Sequence, residues 1–134
     1  TANVDSLYPF VIQYFGKYYY RRHEYKEALK FFKEVFDMLV NNHKFPTTSY
    51  IYAMKILLLD KAYPEALFLS EKALETAKQK SGFFPNKRSE ALLFLGIGKI
   101  YDAMNEKEKA DHYKTLAGNL YPQQALEERW SMRK

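Results

Sequence analysis

The chain has 134 residues, 47% of them hydrophobic, and no cysteine, so it can bury the core of one domain but can form neither a disulfide framework nor a thiolate metal site. Its formal charge of +5 comes from 21 basic and 16 acidic residues whose signs interleave, as in Glu24, Lys26, Glu27, Lys30, Lys33, Glu34 and Asp37, the pattern of a solvated helix face. Only five Gly and five Pro are present, which argues against a many-turned β fold and for an all-α class.

Helical periodicity predicts seven helices, over 5–20, 24–42, 47–60, 64–81, 87–103, 106–120 and 123–132. The first ends in Tyr18-Tyr19-Tyr20-Arg21-Arg22, where rings and cations mix as they do in nucleic-acid binders. Tyr19 is needed for packing, however, and no basic stripe continues from it, so nucleic-acid binding is not expected. The links around Asn41–Pro46 and Gln79–Pro85 carry Phe45, Phe83 and Phe84, rings expected to staple the next pair of helices. Pro64 sits in the first turn of the fourth helix, where proline is tolerated.

The longest apolar run within a helix is Ile56-Leu57-Leu58-Leu59, too short for a bilayer, and no signal-peptide pattern opens the chain. Membrane insertion is therefore not expected, and a reducing, cytoplasmic setting is. Because the chain opens on Thr1, it reads as a domain excised from something longer.

Gly96-Ile97-Gly98-Lys99 in the fifth helix lacks the third glycine and the preceding strand of a phosphate loop. His112 in the sixth has Asp111 beside it, but sequence neighbours project to different helix faces, so no catalytic pair forms. Histidines at 23, 43 and 112 are too scattered to suggest a metal site. No cofactor, small-molecule substrate or enzymatic activity is expected. Leu126 or Ala125 shares a face with Trp130 in the last stretch, as in a capping helix that shields the final pair; a truncated further repeat fits equally.

The strongest signal is an internal repeat. Tyr25-Lys26-Glu27-Ala28-Leu29 recurs as Tyr63-Pro64-Glu65-Ala66-Leu67 and, more weakly, as Lys107-Glu108-Lys109-Ala110-Asp111. Two turns after each alanine stands Val35, Ala73 or Ala117, and on the helix before each copy stand Gly16, Met54 and Gly98, followed one turn on by Tyr19, Leu57 and Tyr101. Glycine inside a helix costs about 1 kcal/mol relative to alanine, so Gly16 and Gly98 need a reason. Close approach supplies one if Gly16 meets Ala28 and Gly98 meets Ala110.

This pattern resembles the tetratricopeptide repeat. The third unit carries it best, with Phe94, Ile97-Gly98, Tyr101, Ala110, Ala117 and Pro122. The first has Ile12, Phe15-Gly16, Tyr19, Tyr25, Ala28, Phe32 and Val35, and the second, the loosest, has Tyr50, Ala53-Met54, Leu57, Tyr63, Ala66 and Ala73. Ala28, Ala66 and Ala110 are 38 and then 44 residues apart, against a usual period of about 34. The longer units are similar to those of kinesin-light-chain-like proteins and bacterial peptide-pheromone receptors.

The resemblance implies a single domain over 1–134: a right-handed α–α superhelix of three helix pairs (about 5–42, 47–81 and 87–120) with a C-terminal capping helix at about 123–132. It also implies that the first helix of each pair lines a concave groove. Positions carried over to that groove are Gln13, Tyr14, Lys17, Tyr52, Lys55 and Lys99, with Ile51, Leu95 and Gly96 beside them. A row of lysines next to phenolic and apolar surface suits a protein or peptide segment with acidic and hydrophobic side chains. The family's carboxylate clamp for chaperone tails is absent, because its places hold Gln13, Lys17, Tyr52, Leu92 and Gly96. The expected function is a protein- or peptide-binding scaffold. Alternatives are the peptide-sensing domain of a bacterial pheromone-responsive regulator, whose groove asparagines have only Asn119 as a helical counterpart here, and a structural segment of a larger assembly.

Overall fold

The computed structural model describes residues 2–131, with side chains from Tyr8 onward, and the described residues form seven α-helices and no strand. These are α1 (Ala2–Arg21), α2 (Tyr25–Asn41), α3 (Thr47–Leu59), α4 (Tyr63–Gln79), α5 (Lys87–Ala103), α6 (Lys107–Leu120) and α7 (Gln123–Ser131). All seven expected helices are present, and the ends differ from expectation by at most three residues. Thr1 and 132–134, which include the last residue of the expected capping helix, lie outside the described residues.

One turn ends the first helix of each pair, and a further copy, with φ of 62° at His43 and Lys44 N donating to Leu39 O at 2.9 Å, ends α2. His23, Lys61 and Asn105 have φ of 61°, 57° and 62°, a left-handed conformation that ends a helix and aims the next amides back at its orphan carbonyls. The hydrogen bonds repeat too: Glu24 N donates to Tyr19 O at 2.9 Å, Ala62 N to Leu57 O at 2.8 Å and Glu106 N to Tyr101 O at 2.9 Å. The three residues sit at the same interval as Ala28, Ala66 and Ala110, so the repeat visible in the side chains is also a repeat of backbone geometry. Elsewhere α5 starts at Asn86, whose side chain accepts from Ser89 N at 2.8 Å, a standard N-cap.

Consecutive helices pack on one another from α1 to α6, and α5 also touches α3 and α7. Ala28, Ala66 and Ala110 are all buried. A Cβ added at Gly98 would lie 3.3 Å from Ala110 O and 2.9 Å from Lys114 Cγ, so α5 and α6 approach there as anticipated. Gly16 differs: its added Cβ would meet the Phe32 ring at 2.8 Å, one turn beyond Ala28, so the space is filled by an aromatic edge instead of backbone. Gly96, expected in the groove, is buried against the Tyr50 phenol where α5 crosses α3.

Tyr50 anchors the centre of the core. It is fully buried, bonds Ser70 Oγ at 2.7 Å, and burial pushes its phenol above the ordinary value. The two long links meet beside it: Phe45 packs on Phe83 with centroids 5.7 Å apart, and Phe45 N donates to Phe83 O at 3.0 Å. Of the link phenylalanines, Phe45 also packs on Tyr50 of the following helix, with centroids 5.3 Å apart, while Phe83 and Phe84 pack on Phe45 and on each other. No described helix is long and apolar enough to cross a membrane.

Candidate partner-binding face

Lys55 and Lys99 follow Met54 and Gly98 by one residue, so the repeat register puts them on corresponding faces of α3 and α5. Because α3 packs on α5, the two ammonium groups are close enough that Lys99 lowers the pKa of Lys55, second to the larger effect of burial. A desolvated pair of like charges calls for electron-rich partners.

Helix α7 supplies them. Lys99 Nζ lies 3.1 Å from Glu127 Oε1 and 5.5 Å from the centroid of the Trp130 ring, while Lys55 Nζ donates to Ser131 O at 3.1 Å. Arg129 Nη2 donates to Thr48 Oγ1 at 2.9 Å, and the Trp130 ring meets Tyr50 edge-on at 6.4 Å. Leu126 and Trp130, four residues apart and therefore on one side of the helix, are both buried. Partial burial lowers the pKa of Arg129, with the charge of Arg88 as a smaller cause and Tyr52 opposing. The main packing partner of α7 is α5, and its polar contacts reach back to α3. Its contacts thus carry it from α5, the first helix of the last pair, across the face bearing Lys55 and Lys99.

The six expected contact residues fall into three groups. Lys55 and Lys99 are brought together under α7. Tyr14 and Lys17 stand on α1, Tyr14 exposed and Lys17 half-buried, and among the described residues no carboxylate lies within ion-pair distance of Lys17. Gln13 and Tyr52 serve helix packing: Gln13 Oε1 accepts from Ser49 Oγ at 2.6 Å, and the Tyr52 ring stacks on Phe32 at 4.7 Å with Tyr20 edge-on at 4.8 Å. Ile51, Leu95 and Gly96 beside them are buried.

Two features escaped the sequence reading. One is α7 as occupant, whose signal was the Glu127-x-x-Trp130 spacing that presents an acid and an indole to one cation. The other is the outer face of α1, where Tyr8, Phe10, Val11, Tyr14, Phe15 and Tyr18 are all exposed. Two cavities of about 690 Å³ each are present, one beside that face, lined by Pro9, Phe10, Phe45 and Thr48, and one lined by Lys78, Asn86, His112 and Tyr113. Among the described residues no group of three or more His, Asp or Glu side chains is placed to hold a metal ion.

No protein-family model matches the chain, and no curated protein or solved structure is similar enough to count as a match.

Proposed function

We propose that the chain is a protein- or peptide-binding scaffold of the tetratricopeptide kind, its helix pairs stacked in a right-handed superhelix, with its binding face along Lys17, Lys55 and Lys99. The lack of cysteine suits a reducing, cytoplasmic setting. The observation that carries this reading is the seating of α7: Lys99 holds a carboxylate and an indole from one short helix, and Lys55 holds that helix's carbonyl. A face that accepts such a helix in cis has the chemistry to accept an acidic, aromatic segment in trans. The stretch around Tyr14 and Lys17 stands clear of the contacts α7 makes and is where a partner segment first engages.

The test is a panel of labelled helical peptides carrying Glu and Trp three residues apart, titrated against the wild-type chain and against Lys17→Glu with Lys99→Glu. Affinity should fall with added salt for the wild-type chain, and the double variant should lose both affinity and salt dependence while keeping its helicity. Binding indifferent to salt and to both substitutions rejects the reading.

A further inference from the structure

The outer face of α1 is apolar and exposed. Six large apolar side chains are exposed along it, Tyr8, Phe10, Val11, Tyr14, Phe15 and Tyr18, whereas among the described residues only Leu59 and Phe68 are comparably exposed elsewhere. The repeat register explains what kind of face it is. Val11 corresponds to Ser49 and Leu93, Phe15 to Ala53 and Ile97, and Tyr18 to Ile56 and Ile100. In α1 these positions are 49%, 47% and 46% exposed; in α3 and α5 none exceeds 4%. There α3 is packed against α2, and α5 against α4. The same helix surface that is closed twice inside the chain is open once.

We propose that this face pairs with the same face of a second copy of the chain, α1 lying antiparallel on its twin about a two-fold axis. The complement must be apolar, and the other end of the helix stack does not offer one. Every exposed residue of α6 is polar or glycine, Asp111, Thr115, Gly118 and Asn119 among them, and every exposed residue of α7 is polar. Head-to-tail addition would therefore set rings against hydrated side chains. Self-pairing sets rings against rings and closes the assembly at two. Charge fixes the direction: Lys17, Arg21 and Arg22 cluster at the C-terminal end of α1, so an antiparallel arrangement separates the two basic ends and a parallel one opposes them.

The area is sufficient. Five partly exposed aromatic side chains contribute on the order of 100 Å² each and Val11 somewhat less, so the face removes roughly 550 Å² per copy, or about 1,100 Å² in all, above the roughly 1,000 Å² that a specific interface should clear. The pairing leaves Lys55 and Lys99 clear of the twin but covers Tyr14, so it competes with a partner segment that engages at Tyr14 and Lys17.

Sedimentation equilibrium over a wide concentration series tests it. The mass should rise from the 15.9 kDa of one chain to twice that value. Val11→Glu with Tyr14→Glu, both at exposed sites and so compatible with the fold, should raise the dimer dissociation constant by about tenfold or more, as loss of central contacts does, with unchanged circular dichroism. Because the chain has no cysteine, a single Tyr14→Cys should give an efficient bis-maleimide cross-linked dimer, and Phe68→Cys on α4 should not. A single-chain mass throughout the series, a dimer that survives the double substitution, or cross-linking through Phe68→Cys but not Tyr14→Cys would each overturn the proposal.

Discussion

Lys99 Nζ stands 5.5 Å from the centroid of the Trp130 ring, so a cation on α5 faces the only indole in the chain on α7. Burial of Leu126 and Trp130 supplies most of the energy that holds α7 down, since a cation over an aromatic face adds about 0.5–1 kcal/mol and a partly exposed ion pair about 0–1. Lys99→Met should therefore leave α7 docked, at a cost of about 1 kcal/mol. Leu126→Ala should cost about 2–5 kcal/mol locally and undock it. Trp130 fluorescence reads both outcomes, blue-shifted and protected from quenching in the first, red-shifted in the second. A red shift with Lys99→Met and none with Leu126→Ala would show that electrostatics, not burial, seats the helix.

Gly96 has no room for a side chain. An added methyl would press on the Tyr50 phenol, which cannot retreat because its hydroxyl is fixed by Ser70 at 2.7 Å and its ring is fully buried. Overpacking costs about 1–3 kcal/mol, which outweighs the roughly 1 kcal/mol of helix propensity that alanine adds. Gly96→Ala should thus lower the denaturation midpoint. Gly118→Ala, in α6 with nothing within 4 Å of the added methyl, should raise it, because helix propensity adds about 0.5–1 kcal/mol of stability. The opposite signs of one chemical change at two sites are measurable by urea melts.

The turn between α3 and α4 holds a lysine where glycine is at ease. Lys61 has φ of 57° and is exposed, and a residue with a Cβ pays about 1–2 kcal/mol in that conformation. Glycine removes that strain and loses part of the gain to its freer unfolded chain, so Lys61→Gly should stabilise by about 0.5–1 kcal/mol and raise the melting temperature by a few degrees. Unchanged or reduced stability would mean that the side chain has a partner at this turn.

The helices and the common side of Lys55 and Lys99 were legible because they depend on local spacing. A repeat of Gly16, Met54 and Gly98 ahead of Ala28, Ala66 and Ala110 fixes which residues share a side, and Lys55 with Lys99 duly come together. Whether a glycine meets the alanine or the residue one turn on depends on the crossing angle, which the pattern leaves open: Gly98 meets Ala110, but Gly16 meets Phe32. The destination of α7 was not legible for a related reason. Leu126 and Trp130 declare an apolar side, but α6 and the α3–α5 face are both within its reach, and long-range contacts to Tyr50 and Thr48 decide between them. On α1 the difficulty was excess, since Ile12 and Gly16 on the inner side and Val11 and Phe15 on the outer side read equally as core.

Asp102 gives the fold a pH dependence on the acid side. Lys114 Nζ donates to its carboxylate at 2.7 Å, and this bond, followed by the charge of Lys114, holds the Asp102 carboxyl below its ordinary value of 3.8; burial opposes slightly, and Lys107 and Lys99 assist. A carboxyl depressed in the folded state binds its proton more weakly there than in the unfolded chain, so its stabilisation is present above pH 3.8 and is lost as the pH falls through the lower folded value. Lys114→Met removes the ammonium but keeps a stem over Gly98, where Lys114 Cγ packs. The variant should therefore return the Asp102 titration toward 3.8 without opening the α5–α6 contact. Carboxyl NMR follows the titration, and melts of the two proteins should converge as the pH drops below the folded value. A gap that stays constant down to full protonation would assign the role of Lys114 to packing on Gly98 instead of to its charge.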